Sequence, residues 1–267
     1  LQTLLKHDLK KLDFLSFDTC LMGGAEVLAD VHELCDVYIA CPELDYADGW
    51  DYSATLGYLK AFPDTSNIEF GKKEVMFWGE HHNRKQSDRE YKFHVAYDMK
   101  LFNVYNDKLK AFTAAILKES ISGNNALILA KLRREAIHYW NSGTRIREGS
   151  VGVTDYIDLG SFAEEIAKHF TGELKTASLG LVDAIKKMII AKTAGSKRQE
   201  AVGLSIYYPI DGGLRLSYTP DRTLYYNYGT VHEVKFWAHL NFLTPEFGGD
   251  NWLKYLGQVK NINNNDK

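Results

Sequence analysis

Apolar positions in the first hundred residues fall in short dense runs. "LDFLSF", Leu12 to Phe17, is almost continuously apolar, the pattern of a parallel strand covered on both faces, and Gly23 and Gly24 then give a tight exit into a helix. That helix carries Ala25, Leu28, Val31 and Cys35 at three- and four-residue spacings. A second buried strand, Val37 to Cys41, follows and is ended by Pro42 and the polar loop "ELDYADGW". Strand, helix and strand in this order predict a βαβ unit. "HHNRKQSDRE", from His81 to Glu90, reads as a charged, solvated loop, and "YKFHVAYDM" as another strand.

Helical periodicity dominates beyond that strand, in "LFNVYNDKLKAFTAAILKES", "ALILAKLRREAIHYW", "LGSFAEEIAKHF" and "LGLVDAIKKMIIAKTA", with Gly, Ser and Asn between them. "GLSIYYP" returns to strand, and "DGGLRLSYTPDRTLYYNYGT" is rich in turn residues. "FWAHLNFL" and "NWLKYL" read as short helices, and "NINNNDK" as a polar tail with nothing to bury. The opening "LQTLLKHDLKKLDF" reads as a helix feeding a strand, and with no initiator methionine or signal peptide it gives the expectation of a fragment or processed chain.

Composition narrows the function classes. The chain has 267 residues, 45% of them hydrophobic and 13% aromatic, enough to fill a sizeable core. Its net charge is −3 and its Lys and Arg are scattered, so no basic stripe follows a phosphate backbone and nucleic acid is not an expected partner. No apolar run is long enough for a membrane span. Three cysteines, Cys20, Cys35 and Cys41, cannot all pair within the chain, and the apolar neighbours of Cys35 and Cys41 mark those two as buried free thiols.

Cys20 stands differently, at the carboxyl end of the first strand, where open α/β sheets collect their ligand-binding loops. If the two strands are neighbours, Cys20, Asp45 and Asp48 come to one rim. A thiol ahead of a helix also faces free N–H groups that favour the thiolate. Position alone leaves two readings open, an inert strand-end thiol and a nucleophile.

The surrounding residues favour the nucleophile. "FDTCLMGGAEV", followed by "DGWDYSATL", then by "TDYIDLGSFAEEI" and "GLSIYYP" in that order, resembles the clostripain family of cysteine peptidases (peptidase family C11, clan CD) over nearly the whole chain. The resemblance implies an α/β fold, a caspase-like three-layer sandwich. Residues 1–98 would form the C-terminal half of the peptidase domain and residues 99–267 a helical C-terminal domain with a few strands. It implies that Cys20 attacks the scissile carbonyl, and that Asp18 and Asp48 line the pocket for an Arg or Lys side chain before the cleaved bond. Two carboxylates there offer charge-assisted hydrogen bonds to guanidinium or ammonium. Asp18 has the alternative role of capping a helix or accepting a backbone N–H. Asp45 reads as a solvated loop residue, and Trp50 as a pocket wall or a core aromatic.

Cysteine attack needs a partner histidine. In the family it stands in a His-Gly motif upstream of the nucleophile, and here the one histidine upstream, His7, has no glycine after it. His32, His81, His82, His94, His138, His169, His232 and His239 lack the motif too and read as surface or satisfied core residues. Family members are often self-processed into a light chain carrying the histidine and a heavy chain carrying the cysteine. This chain reads as the heavy chain, with an obligate light-chain partner that supplies the histidine and the earlier sheet strands. The basic stretch "NRKQSDRE" and the abrupt start suggest self-cleavage at exposed basic residues.

No metal-ligand spacing is present, so no cofactor is expected for the chemistry. Calcium aids some family members, but Asp155, Asp158, Asp211 and Asp221 read as turn caps ahead of calcium ligands. The resemblance further implies a secreted or cell-surface bacterial protein acting on proteins or peptides with Arg or Lys. The alternative is a non-catalytic pseudo-peptidase or scaffold that binds basic peptide segments.

Overall fold

The computed structural model describes residues 11–85, 89–139, 156–208, 217–218, 224–225 and 241–265. The first apolar run forms β1 (Leu12–Ser16), and α1 (Ala25–Val31) carries the chain back to β2 (Cys35–Ala40), parallel to β1 with Leu12 opposite Cys35 and Ser16 opposite Ile39. The βαβ unit is therefore as expected. After it come α2 (Tyr52–Ala61), α3 (Asn67–Lys85) and β3 (Phe93–Asp98), then α4 (Phe102–Ser120) and α5 (Gly123–Glu135). The chain continues through β4 (Tyr156–Asp158), α6 (Leu159–His169), α7 (Gly172–Met188), β5 (Ile189–Ala194) and β6 (Ser205–Tyr207). A short pair, β7 (Ser217–Tyr218) and β8 (Leu224–Tyr225), and α8 (Gly249–Asn265) complete the described elements.

The central sheet has the order β1-β2-β3-β5 and is mixed, because β3 runs antiparallel to both β2 and β5. Residues after 98 thus supply one of its strands as well as helices. On one face, Phe70 and Val75 of α3 pack on Val37, Ile39 and Ala96. On the other, Tyr38, Val95 and Tyr97 join Leu28 of α1, Tyr105 and Leu109 of α4, and Leu181 and Ile185 of α7 in one continuous core.

Several expectations need correction. "IIAKTA" is not the tail of a helix: α7 stops at Met188, and β-branched Ile189, Ile190 and Thr193 enter the sheet as β5, where pairing with β3 outweighs the helical pattern. His81 to Lys85 are not loop but the last turn of α3, and residues 86–88 lie outside the described residues. β1 is not covered on both faces, since Asp13 and Phe14 are exposed and its outer edge is unpaired among the described residues. α5 ends at Glu135, and His138 bridges to Ile157 instead of continuing the helix. Asn261 to Asn265 belong to α8 and not to a free tail. Residues 1–10, most of "DGGLRLSYTPDRTLYYNYGT" and "FWAHL" lie outside the described residues, and no helix among those described is long and apolar enough to cross a membrane.

Candidate active site at Cys20

Beyond Ser16 the parallel pairing of β1 and β2 continues as backbone bonds between two loops. Phe17 N–H donates to Ile39, Leu21 to Glu43 at 3.0 Å and Gly23 to Cys41 at 3.1 Å. Gly23 lies so close to the second loop that a Cβ there would meet Pro42 Cγ at 2.5 Å. From the other side Ser205 N–H donates to Gly23 C=O at 2.9 Å, and Tyr38 O–H to Met22 C=O at 2.9 Å. Between these fixed points the chain turns so tightly that Leu21 takes φ 61°, a left-handed conformation uncommon for a residue with a side chain. Cys20 sits immediately before it.

The thiol is half-buried, and Asp45 N–H donates to its Sγ at 3.2 Å. This corrects the expected source of the facing donor, because α1 does not begin until Ala25 and the N–H comes from the neighbouring loop. The other two thiols are buried, and burial pushes Cys35 up to about 12 and Cys41 well above the ordinary thiol range. Cys20 alone is partly open to solvent.

Asp18 is exposed, and its Oδ2 accepts Tyr52 O–H at 2.7 Å and Trp50 N–H at 3.4 Å. It accepts a backbone N–H, then, but caps no helix. Gly49 makes that approach feasible, with φ +59° and no side chain: a Cβ would stand 2.7 Å from Asp18 Oδ2. Asp48, also exposed, lies on the other side of Gly49 and is paired to Arg89, whose guanidinium holds its carboxyl below the usual carboxylate range. Trp50 is half-buried, with its ring 5.9 Å from Tyr52 and 6.0 Å from His94.

Asp45 departs from its expected role. Its carboxyl is half-buried, Oδ1 accepts Tyr46 N–H at 2.8 Å, and burial raises its pKa to about 6. The sequence offered no signal for this, because the loop around Asp45 mixes apolar and polar residues without a periodic pattern.

The described histidines do not hydrogen-bond to Cys20. His82 is buried between Trp78 and Tyr46, and burial lowers its pKa to about 4. His94 is buried with Nε2 2.9 Å from Glu74, stacked on Trp78. His81 lies 3.7 Å from Asp51, and His32 contacts the Ala29 carbonyl. His7, His232 and His239 lie outside the described residues.

The downstream segments brace the site from behind. β4 and β6 pair antiparallel, and Asp158 at their junction is fully buried. Its carboxylate caps α6 through Ser161 N–H at 2.6 Å and accepts Tyr139 O–H at 2.7 Å, with Val202, Gly203 and Leu204 N–H at 3.1, 2.8 and 3.3 Å. Five donors leave it no place for a cation. Among the described residues no group of His, Cys, Asp or Glu has the geometry to hold a metal ion, and Asp155, Asp211 and Asp221 lie outside them.

A family model for the clostripain family, peptidase C11, matches residues 1–239, which takes in both loops of the site and the Asp158 brace. The chain belongs to the clostripain family. Solved structures of cysteine proteases share its fold. The "B. fragilis cysteine protease" is 18% identical over 78% of this chain and 82% of its own, with a TM-score of 0.50. A secreted C11 cysteine protease from Bacteroides thetaiotaomicron, solved with an irreversible peptide inhibitor, is 14% identical over 90% of this chain and 60% of its own, with a TM-score of 0.55. An inactive zymogen C11 protease from Parabacteroides distasonis is 16% identical over 75% of this chain and 53% of its own, with a TM-score of 0.50. Comparison with curated proteins finds no match.

Proposed function

We propose that this chain is the nucleophile-bearing heavy chain of a self-processed, two-chain cysteine endopeptidase that cleaves after Arg or Lys. The observation that carries the reading is the setting of Cys20: a partly open thiol on a left-handed turn at a strand end, facing a backbone N–H of the neighbouring loop, with the exposed carboxylates of Asp18 and Asp48 on the same two loops. The Cys20 thiolate adds to the scissile carbonyl carbon. The C–N bond then breaks with a proton delivered to the leaving amine, and water hydrolyses the thioester. A histidine from a light chain handles that proton. Asp18 and Asp48 take the basic side chain before the cleaved bond, with Trp50 as a pocket wall.

The outer edge of β1, unpaired among the described residues, suits further strands from the light chain, which would complete a caspase-like three-layer sandwich, with residues 99–267 as the helical C-terminal domain. Secretion from a bacterium is proposed by likeness to the secreted C11 cysteine protease from Bacteroides thetaiotaomicron, and a calcium requirement is a separate proposal in which Asp158 takes no part.

The test is hydrolysis of fluorogenic peptides ending in Arg, Lys, Asp or Leu by the full-length protein, with and without calcium, against Cys20→Ala. The expected result is cleavage of the basic peptides alone, lost in the variant by at least about a thousandfold, as for other nucleophile deletions. No cleavage of any peptide by the assembled protein would sink the endopeptidase reading and favour a scaffold that binds basic segments.

A further inference from the structure

The two carboxylates beside Gly49 have different surroundings. Asp48 is paired to Arg89, with Lys85 Nζ 3.8 Å away on its other oxygen. Lys85 is half exposed, so solvent screens its charge. Arg89 is built in: its side chain is only 9% exposed, and its guanidinium carbon stands 4.2 Å over the Tyr46 ring. Its Nη1 also bonds to His82 Nδ1, and that buried imidazole is held neutral and able to accept. Asp18 is the opposite case. Its Oδ2 takes two neutral donors, and among the described residues no cation pairs with it and Oδ1 accepts nothing.

We propose that Arg89 is a specificity-determining residue. It holds Asp48 in a fixed ion pair, the subsite carries a single unpaired negative charge, and Asp18 is the carboxylate that takes the guanidinium or ammonium of the substrate. The inference rests on the endopeptidase reading for its substrate and sharpens it, because it makes Asp18 and Asp48 unequal. A site of charge minus one is neutralised by one cation. A site of minus two would attract a cation more strongly, so Arg89 sets how far the subsite prefers a charged side chain to a neutral one.

The experiment compares the full-length protein with Asp18→Asn, Asp48→Asn, Arg89→Gln and the double variant Asp48→Asn/Arg89→Gln. Its readout is the ratio of kcat/KM for a peptide ending in arginine to that for the same peptide ending in citrulline, the neutral isostere. The ratio cancels differences in folded fraction. A unit charge at a half-exposed rim is worth about five- to tenfold. Asp48→Asn, which strands Arg89, should lower the ratio by about that factor; Arg89→Gln should raise it, and the double variant should return it to near the wild-type value. Asp18→Asn, at an exposed position, should bring the ratio close to one.

A double variant that stays at the Asp48→Asn level would overturn the proposal, because Asp48 would then be the direct receptor. So would an Asp18→Asn protein that keeps the wild-type ratio. Binding of agmatine to the same set in the Cys20→Ala background, measured by calorimetry, should follow the same order. That measurement separates the two ideas: agmatine binding in this order without peptide cleavage sinks the endopeptidase reading and keeps the charge assignment, and cleavage with a different order does the reverse.

Discussion

At the scale of single residues, Cys20 owes its exposure to two neighbours with opposite backbone demands. Leu21 is held left-handed, and Gly23 is pressed against Pro42. Gly23→Ala should force these loops apart, costing about 1–3 kcal/mol of stability as overpacking does, and should lower kcat/KM more than that figure requires because Cys20 moves with the loop. Urea unfolding and peptide kinetics on the same sample check both parts; an unchanged kcat/KM would mean that the loop does not position the thiol. Glu26, buried just beyond, accepts Tyr207 N–H at 2.8 Å, and burial raises its pKa from 4.5 to about 7. The unfolded chain releases this proton at lower pH than the folded one. The stability it contributes is therefore complete below about 4.5 and falls as pH rises through about 7, by something on the order of 3 kcal/mol. Glu26→Gln keeps an acceptor for Tyr207 and should flatten that part of the profile, read as the difference in urea midpoint between about pH 5 and about pH 8. Of the candidate site, the place of Cys20 at a strand end was legible in the apolar pattern, whereas Asp18 and Asp48 were named from the motifs "FDTCLMGGAEV" and "DGWDYSATL" that carry the resemblance. Asp45's half-buried carboxyl and the Arg89 pairing were not legible, since Arg89 stands 41 positions from Asp48 in a polar stretch and only folding joins them.

At the scale of elements, periodicity found the βαβ unit, β3 and most of the later helices, where one face is plainly apolar. It missed α3 for a physical reason: the buried face of that helix includes Gly71, Glu74, Gly79 and His82 among Phe70, Val75 and Trp78, so the apolar stripe is interrupted. Glu74 is tolerated there because His94 of β3 pairs with it at 2.9 Å, a partner that no local pattern discloses. β5 was missed because its residues continue a helical stripe and only the edge of β3 makes them a strand. Asp158 shows how much one element junction can carry, capping α6 and tying β4 to the segment that enters β6. Asp158→Ala should destabilise the protein by about 3–5 kcal/mol, because it removes a buried, fully hydrogen-bonded carboxylate and strands its donors. A thermal midpoint within a degree or two of wild type would show that water or another side chain replaces it.

At the scale of the whole molecule, the first and second halves share a sheet and a core, since β5 closes the sheet on β3 and α4 and α7 pack on the face that α1 also covers. The opposite end of the sheet is open, with Phe14 exposed on β1 and an unpaired edge among the described residues. If a light chain completes the sheet there, β1 amides should exchange slowly with deuterium in the assembled protein and about as slowly as those of β2. Fast exchange at β1 in the assembled protein would count against that docking. The central claim is that Cys20, and not a buried thiol, is the nucleophile of a site selecting basic residues. Its most direct test is intact-protein and peptide mass spectrometry after treatment with an electrophilic peptide ending in arginine. The account predicts one adduct, on Cys20, absent from Cys20→Ala and slowed by free agmatine; an adduct on Cys35 or Cys41, or none on a correctly assembled protein, would contradict it.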